Sequence, residues 1–441
     1  FKYHRPRGFV GAGVEEPNAK LTVEFNGHSE PNINATEMEL VEGLSATSQN
    51  CWPSVNFDIG AINNFLKIFF PAGFYYKTFM WPKKLWYSLY EPAIRMSAGL
   101  GKSPTQPDPE LYDHSHLHCD VLVVGGGISG ILAASISADN GNNTVLIDDK
   151  NSLGGSTIFQ DDENFKINDE KSSVWLNNQI KNIINKKNLI IKHRTSLAAY
   201  HSYNYLLARE NLADHKSLNE RSNKLRQRLW KIRAKKVILA TGAIERPLIF
   251  NNNDRPGIML ANSVKKYIDY FGVRCGNKNV IFTNNDSAYE TAISLNKKGI
   301  NVTIVDIRNN SSSMLVKNAK KAGIKIYWNH TVVDTKGYRR IKSIQIMEMS
   351  DDGTNVIGSK INLVCDSLSV SGGWTPMVHL FTQSGGKLKF RDSDQVFLPN
   401  TAMSNQISIG SCNGDFELDD IIKNTISNCK NFLSSSKTNF D

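Results

Sequence analysis

The chain has 441 residues, 21% of them charged, and a net charge of +10 at pH 7, which suggests a soluble protein of roughly two to four domains. Its basic residues are spread along the chain without a block interleaved with aromatic residues, and its apolar runs are too short to cross a bilayer, so we expect neither nucleic-acid nor membrane binding. Six cysteines without a Cys-x-x-Cys pair argue against a zinc ribbon, an iron–sulfur cluster or a redox pair, and with no visible signal peptide they favour a cytoplasmic protein.

The first 118 residues are predicted to form two segments. Residues 1–35 are interpreted as the end of a small β-rich unit, and residues 36–118 as an aromatic-rich connecting segment with a possible helix near 59–70. Alternate histidines on a strand share one face and could bind a metal. No acidic or thiolate partner supports such a site at His114, His116 and His118, so we interpret them as a solvated linker and predict no metal site.

From residue 119 onward, strands and helices alternate, which is typical of an α/β fold with parallel sheets. We predict a first dinucleotide-binding part at 119–260, a second Rossmann-like unit at 261–360, and a return to the first domain with a frayed tail at 361–441. The strands are predicted at 120–124, 144–147, 189–193, 236–240, 279–283, 301–305 and 361–370, with a hairpin between 203–208 and 231–233. Strand–helix–strand therefore occurs twice, and we predict two Rossmann-like units.

The most specific motif is the glycine loop that follows the first buried strand. Gly125, Gly127 and Gly130 match the pattern G-x-G-x-x-G. The first glycine allows the tight turn, the second lets the backbone approach a pyrophosphate, and the third lets helix and strand pack closely. Asp148 ends the next strand, where an acid accepts hydrogen bonds from the ribose hydroxyls and disfavours a 2′-phosphate. The loop therefore predicts NAD or FAD in preference to NADP.

Four further features are less specific. Ser156 follows two glycines that would lie against the dinucleotide, although a plain loop is the alternative. Thr241 and Gly242 end a buried strand beside the cofactor, or simply form a turn. The second unit has no glycine triplet at 281–289, so we expect it to lack a nucleotide. His379 is the best ionisable candidate in a glycine-rich loop, but a structural histidine is the favoured interpretation, and the catalytic residues stay unassigned.

The chain resembles the α subunits of heterotetrameric sarcosine oxidases. The resemblance covers nearly the whole chain, and its most specific stretch is the aromatic run at 72–82. The matching segments are 1–8, 15–18, 48–50, 52–54, 72–82, 90–92, 98–101, the glycine loop, 240–247, 253–257, 283–289 and 371–374.

The resemblance implies a fold and a domain context. The core would have two Rossmann-like units of the FAD/NAD(P)-binding, disulfide-reductase-like superfamily, preceded by the end of a ferredoxin-like domain that lacks an iron–sulfur cluster. In the family the chain also continues into a folate-binding domain. We therefore expect this sequence to be truncated at both ends.

The resemblance also implies an activity, cofactors and partners. The complex oxidises sarcosine to glycine and yields hydrogen peroxide with formaldehyde, or with methylenetetrahydrofolate when tetrahydrofolate binds the C-terminal domain. The β subunit holds FAD and oxidises the amine, FMN lies at the α/β contact, and the α subunit holds a resident NAD. The partners would be the β, γ and δ subunits. Two alternatives are an FAD-binding α subunit of a related amine, proline or opine dehydrogenase, and a non-catalytic scaffold that its nucleotide stabilises.

By motif position, the resemblance also implies NAD contacts outside the three glycines. Flavoproteins with a similar core usually carry Gly-Asp in the late strand, where the aspartate binds the flavin ribityl chain. Here Ser411 stands in place of that aspartate, which favours NAD over FAD. The implied contacts are Ser129, Asp148, Asp149, Lys150, Ser156, Leu197, Ser411, Phe416 and Leu418.

Overall fold

The computed structural model describes residues 8–16, 18–25, 28–49, 51–54, 56–62, 81–160, 165–221 and 224–435. The chain divides into two units, each assembled from separate stretches. Unit 1 comprises Phe1–Pro109, His215–Glu220 and Arg246–Gly373, and unit 2 comprises Glu110–Asp214, Arg221–Glu245 and Trp374–Asp441.

The described strands and α-helices follow in chain order. The strands are β1 (Lys20–Phe25), β2 (His28–Asn34), β3 (Ser45–Ser48), β4 (Leu111–Val124), β5 (Thr144–Ile147), β6 (Lys166–Ile167), β7 (Glu170–Lys171), β8 (Leu189–Lys192), β9 (Thr195–His201), β10 (Tyr205–Asn211), β11 (Leu225–Leu239), β12 (Ala243–Glu245), β13 (Ile258–Leu260), β14 (Lys278–Thr283), β15 (Asn301–Asp306), β16 (Lys325–Trp328), β17 (His330–Lys336), β18 (Ser343–Met349), β19 (Val356–Val364), β20 (Ser367–Ser371), β21 (Trp374–Pro376), β22 (Lys387–Arg391), β23 (Val396–Thr401) and β24 (Gln406–Ser408). The helices are α1 (Glu91–Ala98), α2 (Ile128–Asp139), α3 (Ser172–Ile184), α4 (Leu218–Arg221), α5 (Ala261–Asp269), α6 (Ala288–Lys297), α7 (Met314–Lys321), α8 (His379–Gln383) and α9 (Leu418–Ser434).

Unit 2 is built on a parallel sheet with the order β8-β5-β4-β11, and β24 adds to β11 in parallel. The first half of β11 also pairs with β10, which pairs with β9, and both of these pairings are antiparallel. The predicted hairpin is therefore confirmed. Apolar residues of α2, α3 and α9 share one buried cluster with this sheet, among them Ile131, Trp175 and Cys429. This packing fixes the strand ends at which a ligand would bind.

The first strand of unit 2 is longer than predicted. It begins at Leu111 and not at residue 120, and it pairs with β11 along its length. His114, His116 and His118 therefore lie on a strand and not in a linker, and all three are exposed. The hydrophobic pattern of the sequence did not predict this extension, because most of its residues are polar. The extension is held by backbone pairing with β11, which lies about a hundred residues later in the chain.

Unit 1 contains the second predicted parallel sheet, with the order β13-β20-β14-β15-β16. Helices α5, α6 and α7 contribute to a buried cluster with this sheet that includes Val264, Tyr289 and Val316. Two antiparallel three-stranded sheets, β17-β18-β19 and β2-β1-β3, belong to the same unit. Both Rossmann-like units are thus confirmed as parallel sheets with helices.

One further expectation about secondary structure needs correction, and another falls only partly within the described residues. The predicted strand 361–370 is two strands, β19 and β20, in different sheets. They are separated at Asp366, whose carboxylate accepts hydrogen bonds from the backbone nitrogens of Asn277 and Lys278. The predicted helix at 59–70 begins with a 3₁₀ turn at Ile59–Ile62, and its remainder lies outside the described residues. Of the segments that carry the resemblance, residues 1–7, 17, 50 and 72–80 also lie outside the described residues.

The six cysteines are all free thiols, and four of them are buried. Among the described helices, none is both long enough and apolar enough to span a membrane.

Candidate dinucleotide site

The glycine loop connects β4 to α2, and each of its three motif glycines has a different environment. Gly125 has a φ of 103°, in the region that favours glycine. A Cβ atom at Gly130 would lie 1.7 Å from the carbonyl oxygen of Gly125, so this glycine is needed for close packing. A Cβ atom at Gly127 would meet nothing within 4 Å. The loop is therefore packed on the protein side and open at Gly127.

Helix α2 begins at this open side. Gly127 is its N-cap residue and offers no side chain to the free N–H groups of the first turn. Such groups and the helix dipole favour an anion. Ser129 lies in that turn and is buried. The helix N-terminus therefore has the features of a pyrophosphate site.

Asp148 directly follows β5 and contacts the loop. Its Oδ2 accepts a hydrogen bond from the backbone nitrogen of Gly126 at 2.5 Å, and its Oδ1 accepts one from that of Lys150 at 2.8 Å. Burial raises the pKa of the Asp148 carboxyl above its usual value, and the neighbouring Asp149 adds to this, while the two backbone donors oppose it. Asp149 itself pairs with Lys150 at 2.8 Å in an exposed position.

Two further segments meet the same region. The backbone nitrogen of Gly154 donates to the carbonyl oxygen of Gly126 at 2.7 Å, so the loop before Ser156 lies against the glycine loop. Ser156 is exposed within the 3₁₀ turn Gly155–Phe159. The backbone nitrogen of Thr195 donates to the carbonyl oxygen of Asp148, which brings β9 and its half-buried Leu197 beside this strand end.

The end of β11 forms the other side of the loop. A Cβ atom at Gly125 would lie 2.3 Å from the carbonyl oxygen of Ala240. Thr241 donates its hydroxyl to the carbonyl oxygen of Met377, and Gly242 has a φ of 73°. Thr241 and Gly242 therefore stabilise the turn that supports the loop, and the Thr241 hydroxyl is already used within the protein.

The C-terminal segment completes this site. A Cβ atom at Gly410 would lie 2.2 Å from the Ser129 Oγ, so the turn Gly410–Asn413 lies against the start of α2. Ser411 is half-buried in this turn, and Phe416 and Leu418 follow it. Gly410 was not among the predicted site residues. The sequence feature that could have identified it is a glycine two residues after the last strand, which has a φ of 66° in the structure.

Cys412 and His379 do not form a catalytic pair in the described residues. Cys412 is buried, and its Sγ lies 3.2 Å from the carbonyl oxygens of Leu239 and Ile409. Burial raises the pKa of this thiol above its usual value, which disfavours the nucleophilic thiolate. His379 is exposed at the start of α8. In the described part of the chain, no group of three or more histidine, cysteine or acidic side chains could hold a metal ion.

The equivalent position in unit 1 is occupied by the protein's own side chains. Asp286 lies in the turn after β14, and the buried Asp306 ends β15. Arg308 Nη2 lies 2.7 Å from Asp286 Oδ1 and 2.8 Å from Asp306 Oδ2. Tyr289 also donates its hydroxyl to Asp306 at 2.8 Å. Unlike Asp148, Asp306 is fully buried and already paired with a cation, and the turn carries a carboxylate where a pyrophosphate would bind.

The chain matches two known families. Residues 119–398 match the family described as pyridine nucleotide-disulphide oxidoreductase, and residues 1–51 match the 2Fe-2S iron-sulfur cluster binding domain. A 2Fe–2S cluster is usually held by four cysteines. The matched residues 1–51 contain only Cys51, so they do not fit a cluster by themselves. The predicted fold class, including the ferredoxin-like unit, is confirmed by these matches.

Among curated proteins, the chain is similar to the sarcosine oxidase subunit alpha of Rhizobium meliloti (strain 1021), with 40% identity over 90% of this chain and 39% of that protein. It is also similar to the sarcosine oxidase subunit alpha of Corynebacterium sp. (strain P-1), with 32% identity over 94% of this chain and 38% of that protein. The chain thus spans about two fifths of these relatives. The resemblance inferred from the sequence motifs is confirmed.

Solved structures support the fold alone. The thioredoxin reductase of T. acidophilum has a TM-score of 0.53 and 17% identity, covering 72% of this chain and 98% of that chain. The thioredoxin reductase of Lactococcus lactis has a TM-score of 0.52 and 17% identity, covering 71% of this chain and 99% of that chain.

Proposed function

The chain belongs to the pyridine nucleotide-disulphide oxidoreductase family, and from this premise we propose that it is the NAD-binding part of a sarcosine oxidase α subunit. The complex converts sarcosine, oxygen and water into glycine, formaldehyde and hydrogen peroxide. When tetrahydrofolate is present, the methyl carbon leaves as methylenetetrahydrofolate. In this proposal the oxidation of the amine takes place on the β subunit.

The observation that carries the proposal is the position of Asp148 beside an open glycine loop. Its carboxylate contacts the loop at Gly126, and the space beside Gly127 is free. A dinucleotide would then place its pyrophosphate at the start of α2 and its adenosine ribose at Asp148. A 2′-phosphate would meet the same carboxylate with a like charge, so the unphosphorylated NAD is favoured over NADP.

Ser411 favours NAD over FAD as the resident molecule. It stands in the late turn where related flavoproteins carry the aspartate that binds the ribityl chain, and its hydroxyl has no negative charge. The glycine loop alone serves either dinucleotide. The proposed contacts of NAD are therefore the three motif glycines, Thr241 and Gly242, together with Ser129, Asp148, Asp149, Lys150, Ser156, Leu197, Ser411, Phe416 and Leu418.

We propose that this NAD anchors the fold and does not turn over as a hydride carrier. NAD supplies hydride chemistry when a substrate reaches its nicotinamide, but the described residues offer no nucleophile with a general base beside the site. Buried Cys412 is a poor nucleophile, since burial raises the pKa of its thiol. A ligand that binds only the folded chain stabilises it by mass action. The proposed domain limits are 1–35, 36–118, 119–260, 261–360 and 361–441. The compact units differ from them in that residues 246–260 and 361–373 belong to unit 1 and residues 110–118 to unit 2.

The proposed partners and other cofactors follow the relatives, which are named as subunits. FMN would lie at the contact with the β subunit, FAD would be bound by β, and γ and δ would complete the complex. Tetrahydrofolate would bind a C-terminal domain beyond these residues, and the whole complex would be cytoplasmic.

The first experiment identifies the ligand directly. The purified chain is denatured, and the released small molecules are identified by mass spectrometry, with a visible absorbance spectrum recorded before denaturation. NAD without a flavin band supports the proposal. FAD and a flavin band would instead identify the chain as an FAD-binding α subunit of a related amine dehydrogenase.

The second experiment locates the chemistry. Sarcosine-dependent hydrogen peroxide is measured for the α chain alone, for β alone and for the reconstituted complex. We expect no peroxide from the α chain alone. Peroxide formed by the isolated α chain would contradict the assignment of amine oxidation to the β subunit.

A further inference from the structure

The parallel sheet of unit 2 ends at β24, and the outer edge of this strand is unpaired in the described residues. Val237 donates its backbone N–H to the carbonyl oxygen of Asn405, and Ile409 donates to that of Leu239. In a parallel pair of strands, alternate residues direct their backbone N–H and C=O groups toward the partner strand. The residues between them direct these groups away from the partner strand. The carbonyl of Gln406 and the N–H of Ser408 therefore face away from β11.

A cavity of about 440 Å³ lies along this edge. The lining includes Gln406, Ile407 and Ser408 from β24, and Asn428 and Asn431 from α9. Pro399 and Asn400 line it from β23, which forms an antiparallel hairpin with β22. No lining residue is ionisable, so a charged ligand would lose its hydration without gaining a counter-charge. The amide side chains offer both donors and acceptors. The lining therefore suits an uncharged ligand rich in hydrogen-bonding groups.

Gln406 provides a second, independent indication of a ligand. Its side chain is 4% exposed, and its Nε2 donates to the Ser384 Oγ. Its Oε1 is buried and has no hydrogen-bond partner among the described residues. A buried acceptor without a donor destabilises the fold, so a shift of the Gln406 side chain that brings Oε1 to a donor in the cavity would be favoured.

We propose that the edge of β24 binds an uncharged, extended polypeptide segment of a partner chain, which adds to the sheet as an outer strand. A strand presents alternating N–H and C=O groups, which match the outward N–H of Ser408 and C=O of Gln406. Its side chains would point alternately toward Asn431 on α9 and Asn400 on the hairpin. The proposal does not depend on which nucleotide occupies the glycine loop, since no residue assigned to that site lines the cavity.

The test uses the full chain and an acetylated, amidated hexapeptide of alternating threonine and valine, with binding measured by calorimetry. Because main-chain pairing is tolerant of sequence, we expect saturable binding. Ser408→Pro removes the outward N–H but leaves the bonds to β11, and it should weaken binding about tenfold or more. Asn431→Arg places a cation on the groove wall and should weaken binding even if Ser408→Pro fails to fold. Asn185→Arg, at the exposed C-terminal end of α3, is the matched control for Asn431→Arg, because it adds the same cation away from the groove.

Three results would overturn the proposal. One is the absence of saturable binding at millimolar peptide, and another is unchanged binding to both groove variants. The third is binding of N-methylacetamide that is as tight as that of the hexapeptide and unaffected by Ser408→Pro, which would identify a small-amide pocket instead. Thermal unfolding and the dinucleotide content of each variant show whether the fold and the glycine-loop site are intact.

Discussion

The carboxylate of Asp148 lies 2.5 Å from the backbone nitrogen of Gly126, so the acid at the end of β5 is joined to the glycine loop across 22 residues. The same carboxylate also accepts the N–H of Lys150. One side chain therefore fixes both the end of the strand and the loop. The hydroxyls of a bound ribose would add donors to a group that is already held in place.

Asp148→Ala should weaken binding of NAD. Each lost hydrogen bond to a charged acceptor is worth about 1.5–3 kcal/mol, which corresponds to roughly 10-fold to 150-fold in affinity. Calorimetric titration of the nucleotide-free chain with NAD measures this change. The control is Asp113→Ala. Asp113 lies on β4, and this substitution removes its exposed ion pair with Arg228. Equal affinity in the two variants would contradict the role assigned to Asp148.

The contact between Asp148 and the glycine loop could be predicted in part, because both partners carry local sequence signals. The glycine spacing and the acid after the next buried strand both stand in the sequence, and the structure brings them together. The outer half of β4 could not be predicted in this way, because His114 and His116 carry no apolar pattern and depend on pairing with β11. The contact of Gly410 with Ser129 also joins positions far apart in the chain, so no local pattern reports it.

The stability of the nucleotide-free chain should depend on the Asp148 carboxyl. Its pKa is raised in the folded state, so the folded chain binds this proton more tightly than the unfolded chain does. The contribution of Asp148 to stability is therefore largest below the ordinary aspartate pKa and decreases as pH rises through the raised value. In the Asp148→Asn variant, the side chain at this position is uncharged at every pH.

Thermal unfolding of the wild type and of Asp148→Asn over a series of pH values tests this sign. The wild type should lose stability relative to the variant as pH rises from acid toward neutrality. A difference that stays constant with pH, or that favours the wild type increasingly at higher pH, would show that the carboxyl pKa is not raised in the folded chain.

Substitutions at two of the loop glycines, Gly127 and Gly130, should separate effects on folding from effects on binding. Gly130→Ala places a Cβ atom 1.7 Å from the carbonyl oxygen of Gly125, so it should destabilise the chain by about 3 kcal/mol or more. Gly127→Ala meets open space and should leave unfolding nearly unchanged. Its methyl group would instead stand where the pyrophosphate approaches, and NAD affinity should fall.

Chemical denaturation and NAD titration of both variants provide the comparison. We expect Gly130→Ala to lower the stability of the chain and Gly127→Ala to lower its affinity for NAD. If Gly127→Ala binds NAD as tightly as the wild type does, the pyrophosphate does not approach the loop at this residue.

Arg308 should be essential to the stability of unit 1. It bridges Asp286 and the fully buried Asp306, so Arg308→Met leaves the Asp306 carboxylate buried without its cation. Removing one partner of a fully buried ion pair costs about 3–5 kcal/mol, and because the Arg308 side chain is 28% exposed we expect the lower end of that range. Urea denaturation should show a loss in this range. Arg228→Met, which breaks the exposed pair with Asp113, should cost at most about 1 kcal/mol.

The double variant Arg308→Met with Asp306→Asn distinguishes loss of the ion pair from loss of packing. Because asparagine carries no charge, much of the stability lost in Arg308→Met should return. Without such recovery, the guanidinium would act through its packing and not through its charge.

The ion pairs of Arg308 also occupy the place of a second nucleotide, so the wild-type chain should release one dinucleotide per molecule on denaturation. Two per chain would show that unit 1 binds a nucleotide despite Arg308.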